Sequence, residues 1–291
     1  MLEIQAEVYG IGPSGKKAGR TRLRRDIILG EVKMRVLRMA AAAVAVLAAV
    51  GGSQANDWTK VRIGTEGAYP PFNSLTSDGQ LVGFDVDIAK ALCEEMKVEC
   101  EFITSDWDGI IPGLQAGKYD AIIASMSITD ERKQKVDFTN KYYNTPPAIA
   151  VPKDSSISGT TDSDLSGIAL GAQSSTTHSN YAEEKLGSAD LKLYPTPDEY
   201  KLDIVSGRID AVIDDVVVLS DWLETDDGAC CKILGTLTPD PVINGEGAGI
   251  AIRKDESELK DKFNAALEAI LANGKYKEIN DKYFTFDVYG G

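Results

Sequence analysis

One short run of residues occurs twice in the chain, and it constrains the fold more than any other feature. At Gly117 and again at Gly207, a glycine ends a predicted helix and is followed by a basic residue, one further residue, an aspartate and an apolar strand. Each copy closes a stretch of alternating strands and helices, residues 61–123 and 168–213. Such alternation is typical of a mostly parallel sheet with helices on its faces. The repeat therefore predicts two similar α/β lobes.

The C-terminal fifth of the chain predicts a return to the first lobe. An apolar strand is predicted at residues 248–252, and two helices follow it. We expect this strand to cross back into the first sheet. The predicted lobe 1 then comprises residues 56–145 and 240–291, and the predicted lobe 2 comprises residues 146–239.

Residues 1–55 have the features of an over-long N-terminus with a secretory signal. Basic residues precede an apolar run at residues 39–50, and small residues lead from it to Ala55. This order is typical of a signal peptide, cleaved here after Ala55, and Met34 is the expected start. The run is shorter than the ~20 residues that span a bilayer. A buried alanine-rich helix is the alternative interpretation.

The exported part is strongly acidic. Residues 56–291 contain 41 Asp and Glu against 22 Lys and Arg, a net charge of −19. Because such a surface repels phosphate backbones, we expect no nucleic-acid partner. No cofactor is expected. Asp85 and Asp87 are interpreted as acids favoured at a helix start rather than as a catalytic pair, and His178 is interpreted as a surface residue.

All four cysteines lie in the exported part. Cys93 and Cys100 are close enough in sequence to form a small disulfide loop in an oxidising compartment. For the adjacent Cys230 and Cys231, reduced thiols, a vicinal disulfide and a metal site all stay open. Since the chain has one histidine, a His/Cys zinc site is not expected, and no metal ligand is predicted.

Ligands of open α/β sheets bind beyond the carboxyl ends of the strands. The segments that follow the predicted strands are therefore the candidate site. They are residues 66–69, 105–108, 124–132, 172–177 and 214–215.

Several motifs resemble family 3 of the bacterial extracellular solute-binding proteins. The run GFDVDIAKALCEEM at residues 83–96 fits the family signature, and the resemblance continues at residues 107–114, 120–132, 207–211 and 249–255. It covers nearly all of the chain after the signal segment. Within the family the chain most resembles the lysine/arginine/ornithine- and histidine-binding proteins, which carry a small disulfide loop where Cys93 and Cys100 stand.

The resemblance implies a fold and a function. The expected fold is the two-lobed type II periplasmic binding protein fold, each lobe a mostly parallel sheet flanked by helices, with a two-strand hinge between them. The expected function is non-enzymatic capture of a free polar amino acid in the periplasm by a monomer, and delivery to the membrane permease of an ABC importer.

Both ends of an amino acid lose water when the lobes close, so each end needs a partner. Arg132 can bind the carboxylate bidentately. The turn at residues 173–176 can donate backbone N–H groups to the same carboxylate from a helix start. Asp215 can accept from the ammonium, with a helix N-cap as the alternative. The resemblance implies the same roles at these positions.

Selectivity is expected from lobe 1. Glu66 stands where cationic-amino-acid binders place an acid, and Tyr69 and Trp107 can stack on the ligand stem or a guanidinium plane. Arginine, lysine or ornithine is the predicted ligand. Alternatives are an opine, glutamine, histidine, or a dehydratase-like enzyme on the same scaffold. Asp214 is expected either to cap or to reinforce cation preference, and Ala124 offers only its backbone where relatives often have serine.

The predicted ligand-binding residues are Glu66, Tyr69, Trp107, Ala124, Ser125, Ser127, Arg132, Ala172, Ser175, Thr176 and Asp215.

Overall fold

A computed structural model of the chain describes residues 58–290. The predicted signal segment at residues 1–55, with its predicted start at Met34 and cleavage after Ala55, lies outside the described residues. Within residues 58–290, no helix has the length and apolar character needed to cross a membrane.

The elements alternate along the chain, as the sequence predicts. In order they are β1 (Lys60–Thr65), β2 (Ala68–Tyr69), β3 (Asn73–Leu75), β4 (Leu81–Val82), α1 (Phe84–Met96), β5 (Glu99–Thr104), α2 (Trp107–Gln115), β6 (Ala121–Ile122), α3 (Asp130–Lys133), β7 (Asp137–Tyr143), β8 (Pro147–Pro152), β9 (Ala169–Gln173), α4 (Thr177–Lys185), β10 (Asp190–Tyr194), α5 (Pro197–Val205), β11 (Ala211–Asp215), α6 (Val216–Leu223), β12 (Cys231–Thr236), α7 (Pro241–Asn244), β13 (Ala248–Ile252), α8 (Ser257–Ala272) and α9 (Lys275–Tyr283).

Two five-stranded sheets form the two lobes, and they share one plan. The strand order is β5-β1-β6-β13-β7 in lobe 1 and β10-β9-β11-β8-β12 in lobe 2. In each, the first three strands are parallel and the fourth runs against its neighbours on both sides. Four strands of each sheet therefore share a direction, which agrees with the predicted mostly parallel sheets. A small antiparallel sheet, β2-β3-β4, adds to lobe 1.

The chain passes between the sheets twice. It leaves lobe 1 after β7 and enters β8 through residues 144–146, and it returns from β12 to β13 through residues 237–247. Both connections lie outside the sheets. The predicted lobe boundaries, at residues 145 and 239, therefore stay predictions.

The repeated sequence run forms the same local structure in both lobes. Gly117 and Gly207 take left-handed backbone angles, φ 73° and 71°, and end a helix. The aspartate that follows then accepts a hydrogen bond from the backbone of the neighbouring parallel strand. Asp120 accepts from Arg62 N and Asp210 accepts from Ala169 N, both at 2.9 Å. Each run thus sets the register of the strand that leads to the site.

The lobe 1 core contains packed aromatic rings, and a disulfide lies beside it. Phe72 stacks on Tyr143 with ring centroids 4.4 Å apart, and Phe84 lies within 5.1 Å of Phe284. A disulfide joins Cys93 on α1 to Cys100 on β5, with their Cα atoms 6.0 Å apart. In lobe 2, Cys230 and Cys231 are not joined by a disulfide, and their thiols lie in hydrogen-bond contact with the sulfur atoms 2.8 Å apart.

Candidate ligand-binding site

A cavity lies between the lobes, where their parallel strands end. Its empty volume is about 320 Å³. It is lined by Glu66, Tyr69, Trp107, Ala124, Ser125, Ser127, Arg132, Gln173, Thr176, Thr177 and His178. Eight of the predicted residues are thus brought together, and three are not: Ala172, Ser175 and Asp215.

A second cavity adjoins the first and shares five of its lining residues. Its empty volume is about 520 Å³. Asp215 lines this second cavity, together with Asn144 and Thr145 from one of the lobe connections. Ala172 lines neither cavity, because its place within β9 buries its methyl group in the lobe 2 core. The prediction that Ala172 contacts ligand is therefore corrected.

Arg132 is a buried cation whose hydrogen bonds go to backbone carbonyls. Thr129 caps α3 by accepting from Arg132 N at 3.2 Å, which fixes the start of this short helix. The guanidinium donates to Ser127 O at 3.0 Å and to Ser175 O at 3.1 Å, and it lies 5.4 Å from the ring centre of Trp107. Burial lowers the pKa of Arg132 to about 10. The site thus contains a desolvated cation suited to an incoming anion.

The loop after β6 is fixed by hydrogen bonds that involve the buried carboxylate of Asp85. Ser125 has φ 56°, a left-handed conformation that non-glycine residues rarely adopt. Its N–H donates to Tyr142 Oη at 3.0 Å, and its hydroxyl donates to Asp85 at 2.9 Å. Asp85 also accepts from Tyr142 and from Asn73. Both the backbone N–H and the hydroxyl hydrogen of Ser125 are therefore engaged within lobe 1.

Asp85 therefore does more than occupy a helix start. It lies in the first turn of α1 as predicted, but its side chain is fully buried. Burial raises its pKa to about 6, against the effect of its three side-chain donors. No sequence signal predicted this contact, because Ser125 follows the third parallel strand, 40 positions after Asp85, and only the fold brings the two together.

In lobe 2, the turn at the end of β9 presents its backbone to lobe 1. Thr176 is the N-cap of α4, and its hydroxyl accepts from Ser179 N at 3.0 Å. Ser175 does not line the first cavity, but its carbonyl accepts from Trp107 Nε1 at 3.1 Å as well as from Arg132. The turn thus touches both predicted lobe 1 partners through one carbonyl oxygen.

Glu66 faces an amide from the opposite lobe. Gln173, the last residue of β9, donates from Nε2 to Glu66 Oε1 at 2.6 Å and to Pro195 O at 3.0 Å. Burial raises the pKa of Glu66 to about 7, with further upward contributions from Asp214 and other acids. The neighbouring walls are the rings of Tyr69 and Trp107. This end of the cavity favours a positive charge.

Comparison with known proteins agrees with this architecture. The family described as bacterial extracellular solute-binding proteins, family 3, matches residues 61–286. The chain belongs to this family. It is 52% identical over 233 residues to the L-arginine-binding protein of Pseudomonas aeruginosa, covering 79% of this chain and 90% of the relative.

A second relative and a solved structure show similar coverage. The lysine/arginine/ornithine-binding periplasmic protein of Escherichia coli K12 is 39% identical over 233 residues, covering 79% of this chain and 89% of the relative. A solved ancestral arginine-binding protein bound to arginine is 38% identical, with a TM-score of 0.72, covering 78% of this chain and 98% of that chain. The predicted family and two-lobed fold are confirmed, and these three relatives are named as binding proteins.

In this solute-binding protein, Asp215 is both an N-cap and a cavity residue. Its Oδ1 accepts from Val217 N at 2.8 Å at the start of α6, and its Oδ2 accepts from Thr145 Oγ1. Burial raises its pKa to about 7, and the adjacent Asp214 acts in the same direction. The capping alternative is therefore observed, and the carboxylate also borders the second cavity.

Asp214 and His178 differ from what the sequence indicated. The Asp214 side chain is neither a cap nor a cavity-lining group: it lies buried beneath Tyr69 and Tyr200 and accepts their hydroxyls. His178 was predicted on the surface, yet its side chain is 15% exposed, lines both cavities and places Nδ1 3.1 Å from Asp214 Oδ1. The error arose because the sequence does not indicate whether the second residue of this helix faces the solvent or the other lobe.

Proposed function

We propose that this solute-binding protein captures a cationic amino acid, arginine first among them, between its closing lobes. The observation that carries the proposal is one small cavity lined by a buried arginine, Arg132, and by a partly buried acid, Glu66. Two aromatic rings, those of Tyr69 and Trp107, complete its walls. An amino acid with a positive side chain carries a negative carboxylate that complements Arg132 and a positive distal group that complements Glu66.

The ligand carboxylate binds Arg132 in this proposal. The guanidinium is desolvated and its observed acceptors are neutral carbonyl oxygens, at Ser127 and Ser175. A carboxylate is the stronger acceptor and can engage a guanidinium through two parallel bonds. The start of α4, whose N-cap is Thr176, provides partial positive charge on the lobe 2 side.

The ligand's distal cation binds at Glu66. A cation beside this carboxylate favours its ionised form, so binding expels the proton that burial retains. Gln173 holds Glu66 from lobe 2 and joins this contact to lobe closure. The rings of Tyr69 and Trp107 flank an aliphatic stem or a guanidinium plane, a contact worth about 0.5–2 kcal/mol each.

The ligand ammonium is assigned to Asp215 and the space around it. Asp215 borders the second cavity, which opens on Ser125, Ser127 and Tyr69 at the boundary with the first. An ammonium there places its charge near a carboxylate that already has two donors. The predicted roles of Arg132, Asp215 and the other site residues stay proposals.

The biological setting follows from the family resemblance and the names of the relatives. We infer that the protein works in the periplasm as a monomer, without enzymatic activity, and delivers its ligand to the permease of an ABC importer. The acidic exported part agrees with a role that involves neither nucleic acid nor anionic lipid.

A ligand panel tests the proposal. Protein purified from the periplasm is freed of bound ligand, and its melting temperature is measured with arginine, lysine, ornithine, histidine, glutamine, glutamate, octopine and a cyclic acid substrate of dehydratases. We expect the largest rise with arginine. A larger rise with glutamate or glutamine, or turnover of the cyclic acid, contradicts the proposal.

The matched variants are Glu66→Gln and Glu99→Gln. Glu66→Gln keeps the size of the side chain but removes its charge, and it is expected to weaken arginine binding by about tenfold or more. Glu99 is an exposed acid that pairs with Lys60, so Glu99→Gln is expected to bind arginine as the wild type does. Equal arginine affinity in Glu66→Gln and wild type contradicts the assignment of Glu66.

A further inference from the structure

Asp214 is a buried carboxylate surrounded by hydrogen-bond donors. It lies near the carboxyl end of β11 and is 2% exposed. Its Oδ1 accepts from Tyr69 Oη at 2.5 Å and from Asp215 N at 2.7 Å, with His178 Nδ1 at 3.1 Å. Its Oδ2 accepts from the hydroxyl of Tyr200.

These donors do not all belong to one lobe. Tyr200 and the backbone of Asp215 are in lobe 2 with Asp214, whereas Tyr69 is in β2 of lobe 1. The three donors fill most of the roughly four acceptor positions of a carboxylate. One of the three is supplied only when the lobes are together. Opening the cleft removes the Tyr69 hydroxyl and leaves the carboxylate short of one donor.

The contact differs from three other hydrogen bonds across the cleft. Glu66, Trp107 and Arg132 all reach the lobe 2 turn formed by residues 173–176, next to the space where ligand enters. An incoming carboxylate or cation competes for those groups. Asp214, by contrast, lines neither cavity. Its bond to Tyr69 is therefore compatible with an occupied site.

We propose that Asp214 is a positioning residue that latches Tyr69 across the cleft, stabilises the closed conformation and thereby slows ligand release. The proposal rests on the proposed function only in using closure around a solute. The latch fixes the Tyr69 ring as a wall of the site and connects closure to a group the ligand does not touch. A bond to an ionised acceptor is stronger than a neutral one. Its loss is expected to raise the dissociation rate by about tenfold.

Tyr69→Phe is the decisive variant, because it removes the hydroxyl and keeps the ring. Asp214→Asn removes the charge, and the double variant completes a cycle that isolates the coupling. Tyr200→Phe is the matched control, since it removes a hydroxyl from the same carboxylate without crossing the cleft. Arginine association and dissociation are followed by stopped-flow tryptophan fluorescence, and the radius of gyration of the ligand-free protein is followed by small-angle X-ray scattering.

We expect Tyr69→Phe and Asp214→Asn to raise the arginine dissociation rate about tenfold each, with little change in association and with no further loss in the double variant. Both are expected to increase the ligand-free radius of gyration, and Tyr200→Phe is expected to leave both readouts near wild type. Additive effects in the cycle, or equal effects of Tyr69→Phe and Tyr200→Phe, overturn the latch. If Asp214→Asn does not fold, the comparison of Tyr69→Phe with Tyr200→Phe is sufficient to test the latch.

The scattering measurement separates this proposal from the proposed function. It uses no ligand, so a protein that fails to bind arginine still tests the latch through its radius of gyration. Failure of arginine to bind wild type contradicts the ligand assignment. An unchanged radius in Tyr69→Phe, together with unchanged arginine release, contradicts the latch whatever the ligand panel gives.

Discussion

Each lobe contains a buried aspartate beneath its site loop, and the two differ in where their donors originate. Asp85 accepts from Asn73, Ser125 and Tyr142, all of lobe 1. Asp214 accepts from lobe 2 and, through Tyr69, from lobe 1. The lobe 1 network is complete before the lobes meet, and the lobe 2 network is not.

The same contrast extends to the groups that line the first cavity. Lobe 1 presents its charges and rings, Glu66, Tyr69, Trp107 and Arg132, as side chains. Lobe 2 contacts them mainly through the backbone and amide of the turn at residues 173–176. In the proposed function, two sheets with one topology thus divide the work: lobe 1 holds the proposed recognition groups in place, and lobe 2 supplies their partners upon closure.

Removing Arg132 is the strongest test of the recognition half. Arg132→Ala leaves a ligand carboxylate buried without its cation, and we expect arginine binding to weaken by about 2–5 kcal/mol in calorimetry. Lys133→Ala is the matched control, since its side chain pairs with exposed Glu246 beside the same helix. Arginine affinity within a factor of two of wild type in Arg132→Ala argues that the carboxylate binds elsewhere.

Removing Asp85 tests whether its hydrogen-bond network stabilises lobe 1 independently of lobe closure. Asp85→Ala leaves three donors, two of them buried, without an acceptor, and we expect the free energy of unfolding to fall by about 3 kcal/mol in denaturant titrations. Asp87→Ala, two residues further along α1, removes a carboxylate that pairs with exposed Lys282. The free energy of unfolding is expected to fall by about 1 kcal/mol or less in this variant. Similar losses in the two variants contradict a special role for the Asp85 network.

The disulfide adds to the stability of lobe 1 without touching the cavity. In the loop-entropy account, the short loop closed by Cys93 and Cys100 contributes about 2 kcal/mol. Substituting both cysteines by serine is expected to lower the free energy of unfolding by that amount and to leave the arginine dissociation constant unchanged. A weakened dissociation constant in this variant indicates that the α1–β5 corner also shapes the site.

The sequence predicted most of the parallel half of each sheet, because the repeated run at Gly117 and Gly207 ends helices and orders strands locally. It did not predict β7, β8 and β12, or the reversed direction of β8 and β13. The pairing of β7 with β13 contains register shifts, so its residues lack the regular alternation that identifies a strand. Reversal is a tertiary property, and no short window of residues encodes it.

The candidate site divides in a similar way. Residues that directly follow parallel strands, such as Glu66 and Ser125, could be predicted from topology and resemblance. The supporting contacts could not: Asp85 reaches Ser125 across 40 positions and Asp214 reaches Tyr69 across 145. Such partners are set by how elements pack, so the sequence supplied the acids but not their roles.

The smallest expected effect is a pH dependence that distinguishes the empty site from the filled one. Glu66 and Asp215 have pKa values raised to about 7, and Asp85 to about 6, by burial. In the folded state these carboxyls hold protons that the unfolded chain has released, so the folded ligand-free protein binds more protons from about pH 4 to 7. Its melting temperature is therefore expected to fall as the pH rises through that range.

Arginine binding is expected to change in the opposite direction, because a cation at Glu66 requires the ionised carboxylate. Raising the pH from 5.5 to 8 should strengthen arginine binding on the order of tenfold in calorimetry, with proton release to the buffer at the lower pH. Glu66→Gln should lose most of this dependence, while Glu99→Gln should retain it. If the dependence persists in Glu66→Gln, the proton comes from Asp215 instead, and the linkage belongs to the ammonium end of the ligand and to lobe 2.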